Sequence, residues 1–260
     1  MSAIAFGTVL ALWAALSVAI NNPSQLPTPW DTTAAFFRLC WDGQLKLPAD
    51  TGFLASIWGR SLLLQSSLWS IGRIAVAGLL VFVIGVPVGI MMGASPLING
   101  ILSPLVDPFR SAPVASLLSV LVMWLGIGES MKVAFLFLGA VVYLIPMVRD
   151  AIKAVPQTYW VSTYDLGATQ FEAVMKAVVP MAKPRIADAF VAAVSIEWTY
   201  ITVAEYVNAE SGLGQIISNA RRISAMDRIF ATVIVIILLA LFTYRLMMTI
   251  KHKLYPWETE

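Results

Sequence analysis

Six apolar runs divide the chain, at residues 4–20, 70–92, 114–125, 133–147, 186–204 and 229–250. A helix needs about 20 apolar residues to cross the hydrocarbon core of a bilayer. Each run approaches that length except the third, which residues 101–109 extend upstream into a tilted segment broken at Pro104, Pro108 and Pro113. The pattern predicts an all-α polytopic membrane protein with about six transmembrane helices and both termini on one side. The first run has neither a basic leader nor a small-residue cleavage site, and reads as a retained helix rather than a signal peptide.

Two polar stretches interrupt this pattern. The longer, 21–66, is expected outside the cytoplasm. In it Pro23, Pro27 and Pro29 stop the first helix, and Asp31 or Thr32 can cap a short interfacial helix carrying Phe36, Phe37 and Trp41. The second lies within the 154–184 loop. Ser162, Thr163, Asp165, Thr169, Gln170, Glu172, Lys176 and Lys183 suit it to water, while Leu166, Phe171, Val174 and Met175 give it an apolar stripe. Gly167 permits a sharp turn between two short helical pieces, because glycine reaches left-handed dihedrals without a side-chain clash. The resulting knob would present Tyr164, Leu166, Phe171 and Val174 as an apolar surface that wants a protein partner; a membrane-surface helix without a partner is the other reading. No linker or second soluble domain is visible, so residues 1–260 read as one membrane domain.

Composition supports the membrane reading and removes several functions. The chain is 59% hydrophobic and 12% charged, against about 25% charged in soluble domains. Its net charge of +2 and lack of a basic run argue against nucleic acid. Cys40 has no second thiol for a disulfide or a metal site, and the lone histidine, His252, sits among lysines. No Gly-x-x-x-x-Gly-Lys-Ser/Thr loop exists to hold a nucleotide phosphate, so no catalytic residue is assigned and energy must come from another polypeptide. Basic residues on the 154–184 side slightly outnumber those opposite, where Arg38, Lys46 and Arg60 fall in one long loop. The bias leans toward cytoplasmic termini.

Ionisable groups inside apolar runs are costly and mark functional sites or buried partners. Glu197 lies mid-way along the fifth run, on a face shared with Tyr200, Ile201 and Ala204 that could line a solute path. For an anion route its carboxylate must be protonated, paired with a base such as Arg73, or turned to another subunit. Arg73 can snorkel to the outer interface or bind an anion. Asp107 and Arg110, three apart, suit a local ion pair. Gly85, Gly89 and Gly93 recur every four residues, a spacing that lets helices approach closely within one subunit or across a homodimer.

Several short motifs carry a resemblance. Leu26-Pro-Thr-Pro29 follows the first run, Ser70-x-x-Arg73 opens the second, Gly85-Val-Pro-Val-Gly89 lies near its end, and Trp124-Leu-Gly-Ile-Gly-Glu129 follows the third. Asp165-Leu-Gly-Ala168 lies in the polar loop, and Ala204-Glu-Tyr-Val207 and Ser211-Gly-Leu-Gly214 come after the fifth. In this order they resemble the permease subunit of a type I ABC importer, in the nitrate, sulfonate, taurine and bicarbonate branch. The resemblance runs from about residue 26 to 257.

The resemblance implies a cytoplasmic coupling helix with a Glu-Ala-Ala-x-x-x-Gly core that docks on an ATPase. Placing Gly167 on the motif glycine puts Val161, Ser162 and Thr163 where the triplet would stand. The triplet is absent, with Glu172 available as a substitute acid, while Val178-Val-Pro180 and Lys183-Pro-Arg185 keep the motif's end. The implied coupling residues are Ser162, Thr163, Tyr164, Asp165, Leu166, Gly167, Ala168, Phe171 and Glu172. Arg73, Glu197, Tyr200 and Glu205 are candidates for the path or gate. The implied partners are a second permease copy, two ABC ATPase subunits that hold ATP and Mg, an extracytoplasmic solute-binding protein and the lipid of a bacterial inner membrane. No cofactor is expected in this chain. The implied activity is import of a small anion by alternating access. A secondary transporter or a non-transporting membrane scaffold is the alternative, although a secondary transporter's matching halves are not seen.

Overall fold

The computed structural model describes residues 2–41, 61–207 and 211–259. Lys46 and Arg60, used in the charge comparison, lie outside them, as does much of the 21–66 stretch. Among the described residues every regular element is helical. In chain order these are α1 (Ser2–Ile20), α2 (Pro29–Trp41), α3 (Leu62–Ala94), α4 (Pro96–Phe109), α5 (Leu117–Leu125), α6 (Glu129–Lys153), α7 (Gln157–Asp165), α8 (Gln170–Val207), α9 (Leu213–Arg222) and α10 (Met226–Leu254).

Four of these, α3, α6, α8 and α10, are long and apolar enough to cross a membrane unbroken. The pair α4 and α5, bent by 79°, makes a fifth when counted as one broken span. The expected sixth, α1, is a 19-residue helix, and its described apolar part, Gly7–Ile20, is shorter than a standard span. At 38 residues, α8 would extend about 57 Å at 1.5 Å per residue, well beyond the roughly 30 Å hydrocarbon thickness. Its polar first turns therefore stand outside the hydrocarbon.

Prolines shape these helices without ending them where expected. Pro104 and Pro108 lie inside α4, and the chain leaves the helix only at Arg110, before Pro113. Two wide π-helical turns, Val81–Gly85 in α3 and Val174–Val178 in α8, each end two residues before a proline, Pro87 and Pro180. A proline supplies no N–H and crowds the carbonyl four residues back, and a local widening of the turn accommodates both effects.

The residues group into two compact units, one of 1–72 and 202–239 and the other of 73–201 and 240–260. In the first, Trp13 of α1 stacks on Phe230 of α10 with ring centroids 5.8 Å apart, and its Nε1 donates to Pro27 O at 3.1 Å. The α2 helix starts on a Thr28–Asp31 cap, where Thr28 Oγ1 donates to Asp31 Oδ2 at 2.7 Å. It buries Thr32, Ala35 and Leu39, and leaves Trp30, Phe37 and Trp41 exposed.

The second unit holds a continuous apolar core from Val81, Val86 and Met92 of α3, Leu144, Val148 and Ile152 of α6, and Val178, Ala182 and Ile186 of α8. Its α3–α6 contact depends on the glycine ladder. A Cβ on Gly85 would lie 2.9 Å from Leu144 Cδ2, on Gly89 2.6 Å from Val148 Cβ, and on Gly93 2.6 Å from Ile152 Cβ. Of the two readings left open by the sequence, these glycines serve packing inside one subunit.

Candidate coupling hairpin and buried polar sites

The polar loop folds as a hairpin of α7 and the first turns of α8. Pro156 precedes α7, and α7 ends in a closed cap: Gly167 N donates to Tyr164 O at 2.8 Å and Ala168 N to Thr163 O at 3.2 Å. This pairing satisfies the terminal carbonyls and needs a left-handed residue, a place taken by Gly167 at φ +80°. Two residues later α8 starts on a reciprocal capping box, with Glu172 N donating to Thr169 Oγ1 at 3.4 Å and Thr169 N to Glu172 Oε2 at 3.1 Å. Both arms of the turn are thus fixed by hydrogen bonds, and the tip projects side chains rather than loose backbone.

At that tip Leu166 is 88% and Phe171 73% exposed, with Tyr164 beside them. Asp165 and Gly167 are exposed and Ala168 is half-buried. Ser162 and Thr163 turn their hydroxyls back to the carbonyls of Thr158 and Tyr159, so they present small surfaces rather than free donors. One expectation changes: Val174 is not part of the exposed surface but is buried at the start of the π-helical turn. Within this chain the Glu172 carboxylate serves the turn: Thr169 N donates to Oε2, and Lys176 Nζ donates to Oε1 at 2.9 Å. Lys176 foremost, then Thr169, holds its carboxyl down at about 2. A shallow apolar groove of about 340 Å³ runs beside the hairpin, lined by Ile90, Met91 and Ile98 on one side and Phe171 and Met175 on the other.

Four polar sites away from the hairpin bear on the candidate residues. Arg73 does not snorkel; it is 3% exposed. Its Nε donates to Glu129 Oε2 at 2.6 Å and its Nη2 to Glu129 Oε1 at 2.7 Å. Lys132, fully buried, donates to the same Oε1 at 2.9 Å. Separation by 56 residues hides the Arg73–Glu129 pair from sequence reasoning, whereas Glu129 and Lys132, three apart at the start of a helix, were visible as a spacing. The proposed Arg73–Glu197 pair is therefore not formed.

Glu197 is fully buried, and among the described residues neither of its oxygens has a hydrogen-bond partner. It faces Gly78 of α3, where a Cβ would lie 3.4 Å from Oε2. Ile201 on the same face is also buried, and Tyr200 packs edge-on against Phe135 at 5.6 Å, over Gly139. The exposed side of α8 here carries Ser195 and Thr199 instead.

Glu205 is buried against the start of α9. Its Oε1 accepts from Ser70 Oγ at 2.7 Å and its Oε2 from Gly214 N at 2.8 Å, while Leu213 N donates to Ser70 Oγ at 3.0 Å. A carboxylate and a hydroxyl thus serve the first N–H groups of α9, which an isolated helix leaves unpaired. The Ser211-Gly-Leu-Gly214 motif and the acid at 205 are parts of one joint.

The fourth cluster overturns the local Asp107–Arg110 pair. Arg149 Nη1 donates to both carboxylate oxygens of Asp107 at 3.0 Å and to Ser103 Oγ at 3.1 Å, binding α4 to α6. Arg110 keeps an exposed side chain, and its carbonyl accepts from Tyr143 OH at 3.2 Å.

Comparison with known proteins agrees with this arrangement. The taurine transport system permease protein of Escherichia coli K12 is 27% identical over 99% of this chain and 90% of its own length. A putative aliphatic sulfonates transport permease protein of Bacillus subtilis 168 is 24% identical over 96% of this chain and 84% of its own. Among solved structures, an inward-facing MetNI methionine ABC transporter matches with a TM-score of 0.67 at 23% identity, covering 76% of this chain and 97% of that one. An amino acid ABC transporter matches with a TM-score of 0.65 at 15% identity, covering 78% and 99%; both show a shared fold. The family model for the binding-protein-dependent transport system inner membrane component matches residues 85–254, which contain the hairpin, the glycine ladder and Glu205 with the start of α9, and the chain belongs to that family as an ABC importer permease subunit.

Proposed function

We propose that this permease imports a small anion of the taurine and sulfonate class, using ATP hydrolysed on a separate subunit that grips the 154–184 hairpin. The observation that carries the coupling role is the tip: large apolar side chains held out on a turn that caps at both ends fix. Exposed leucine and phenylalanine in water are a liability unless a partner covers them, and rigid capping lets a partner's movement pass into α8 with little loss. The α3–α6–α8 core above the hairpin is close-packed, so a displacement there moves the helices as a body.

The hairpin then lies in the cytoplasm, with both termini on the same side of a bacterial inner membrane. ATP and Mg sit on the ATPase pair, and this chain carries no cofactor of its own. A second permease copy supplies the other half of the path, and an extracytoplasmic binding protein delivers the solute. Alternating access follows when closure of the ATPases draws the two hairpins together and opens the outer side, and hydrolysis resets it. The sulfonate class rests on the named substrates of the two sequence relatives. Proteoliposomes holding the complete complex test it: uptake of taurine or ethanesulfonate should require both ATP and the binding protein. Uptake that persists without ATP would remove the proposal.

A further inference from the structure

The elbow between α4 and α5 is irregular backbone within a span. Ser111 N donates to Pro108 O at 3.0 Å and Ala112 N to Phe109 O at 3.3 Å, then helical turns resume at Val114 with a 79° change of direction. Its depth is set by Tyr143, whose hydroxyl bonds Arg110 O. Tyr143 lies within α6, about 21 Å from Glu129 and about 15 Å from Lys153 at 1.5 Å per residue, which places the elbow near the middle of the bilayer. Arg110, Ser111 and Pro113 are exposed on this chain. Asp107, the natural partner of Arg110, is committed to Arg149, and no carboxylate among the described residues pairs with the Arg110 guanidinium.

Lipid cannot cover such a surface. Irregular backbone at membrane depth occurs where protein buries it or water lines it, and charged groups there face the bundle interior or an aqueous cavity. This chain does not bury the elbow, and pressing an unpaired guanidinium against a second copy would leave a costly uncompensated charge. We propose that the α4–α5 elbow lines the aqueous translocation path and that Arg110 holds the anionic group of the solute in passage. A guanidinium suits a sulfonate because its planar fork donates two parallel hydrogen bonds to paired oxygens. The anion half rests on the proposed substrate class, and the location half does not.

Two arms of one experiment separate them, both on the complete complex in lipid vesicles. In a Cys40→Ser background, Arg110→Cys should react with a charged methanethiosulfonate reagent at least about tenfold faster than Ile237→Cys on the exposed apolar flank of α10, since the reactive thiolate forms in water. Equal resistance of the two cysteines overturns the location. In the second arm, Arg110→Gln should lower ethanesulfonate uptake about tenfold or more through loss of a charge-assisted bond, with ATP hydrolysis and ATPase retention unchanged and Arg110→Lys recovering most of the uptake. Parallel loss of uptake, hydrolysis and assembly, unrescued by lysine, would mark a structural residue and overturn the anion role. If the wild-type complex moves neither ethanesulfonate nor taurine, the anionic-substrate reading fails together with that role, while the cysteine arm still decides where the elbow lies.

Discussion

A methyl group added at Gly89 has nowhere to go: it would lie 2.6 Å from Val148 Cβ and 2.9 Å from the Ile145 carbonyl oxygen, and backbone cannot swing aside. Overpacking of this kind costs about 1–3 kcal/mol, so Gly89→Ala should lower the thermal midpoint of the purified protein. Gly100 is the control, because a Cβ there meets nothing within 4 Å; Gly100→Ala, in the interior of α4, should gain about 0.5–1 kcal/mol. Equal midpoints for the two variants would mean that α3 and α6 do not pack as described. At Glu205 the carboxylate serves both Ser70 Oγ and Gly214 N. Glu205→Ala strands buried polar groups at about 1–3 kcal/mol, and hydrogen exchange should show faster opening of α9, with Glu205→Gln falling between it and the native protein.

The hairpin and the spans show how far element structure could be read in advance. Apolar length alone located α3, α6, α8 and α10, because a membrane helix must be apolar over its whole crossing. The α3 helix begins eight residues before its apolar run, at Leu62 rather than Ser70, because the polar Gln65, Ser66 and Ser67 are still helical there, with Ser67 Oγ donating back to Leu63 O. Gly167 marks the turn, and Thr169-x-x-Glu172 is a capping signal legible in the sequence. Asp107 with Arg149 and Arg73 with Glu129 were illegible because nothing local pairs residues 42 and 56 positions apart. Loss of the Thr169 cap should cost about 1 kcal/mol, and amide exchange over residues 167–173 in Thr169→Ala measures it. Acid should act on the same turn. Because the Glu172 carboxyl is held down at about 2, its contribution is full above the ordinary glutamate range near ~4.3 and fades as pH falls from there through its folded value.

At the scale of the molecule, the hairpin tip holds Leu166 and Phe171 out of the fold, and the rest of the hairpin is held by its caps and the Lys176–Glu172 ion pair. That distribution suits a grip that must transmit force without unfolding. The direct measurement is retention of the cognate ATPase by the purified complex when the tip alone is altered. Leu166→Asp changes a side chain that is 88% exposed and packs on nothing in its own chain's core, so the thermal midpoint of the permease should hold while ATPase retention and ATP-driven uptake fall together. Full retention and undiminished uptake in Leu166→Asp would contradict the account of the hairpin as the point of coupling.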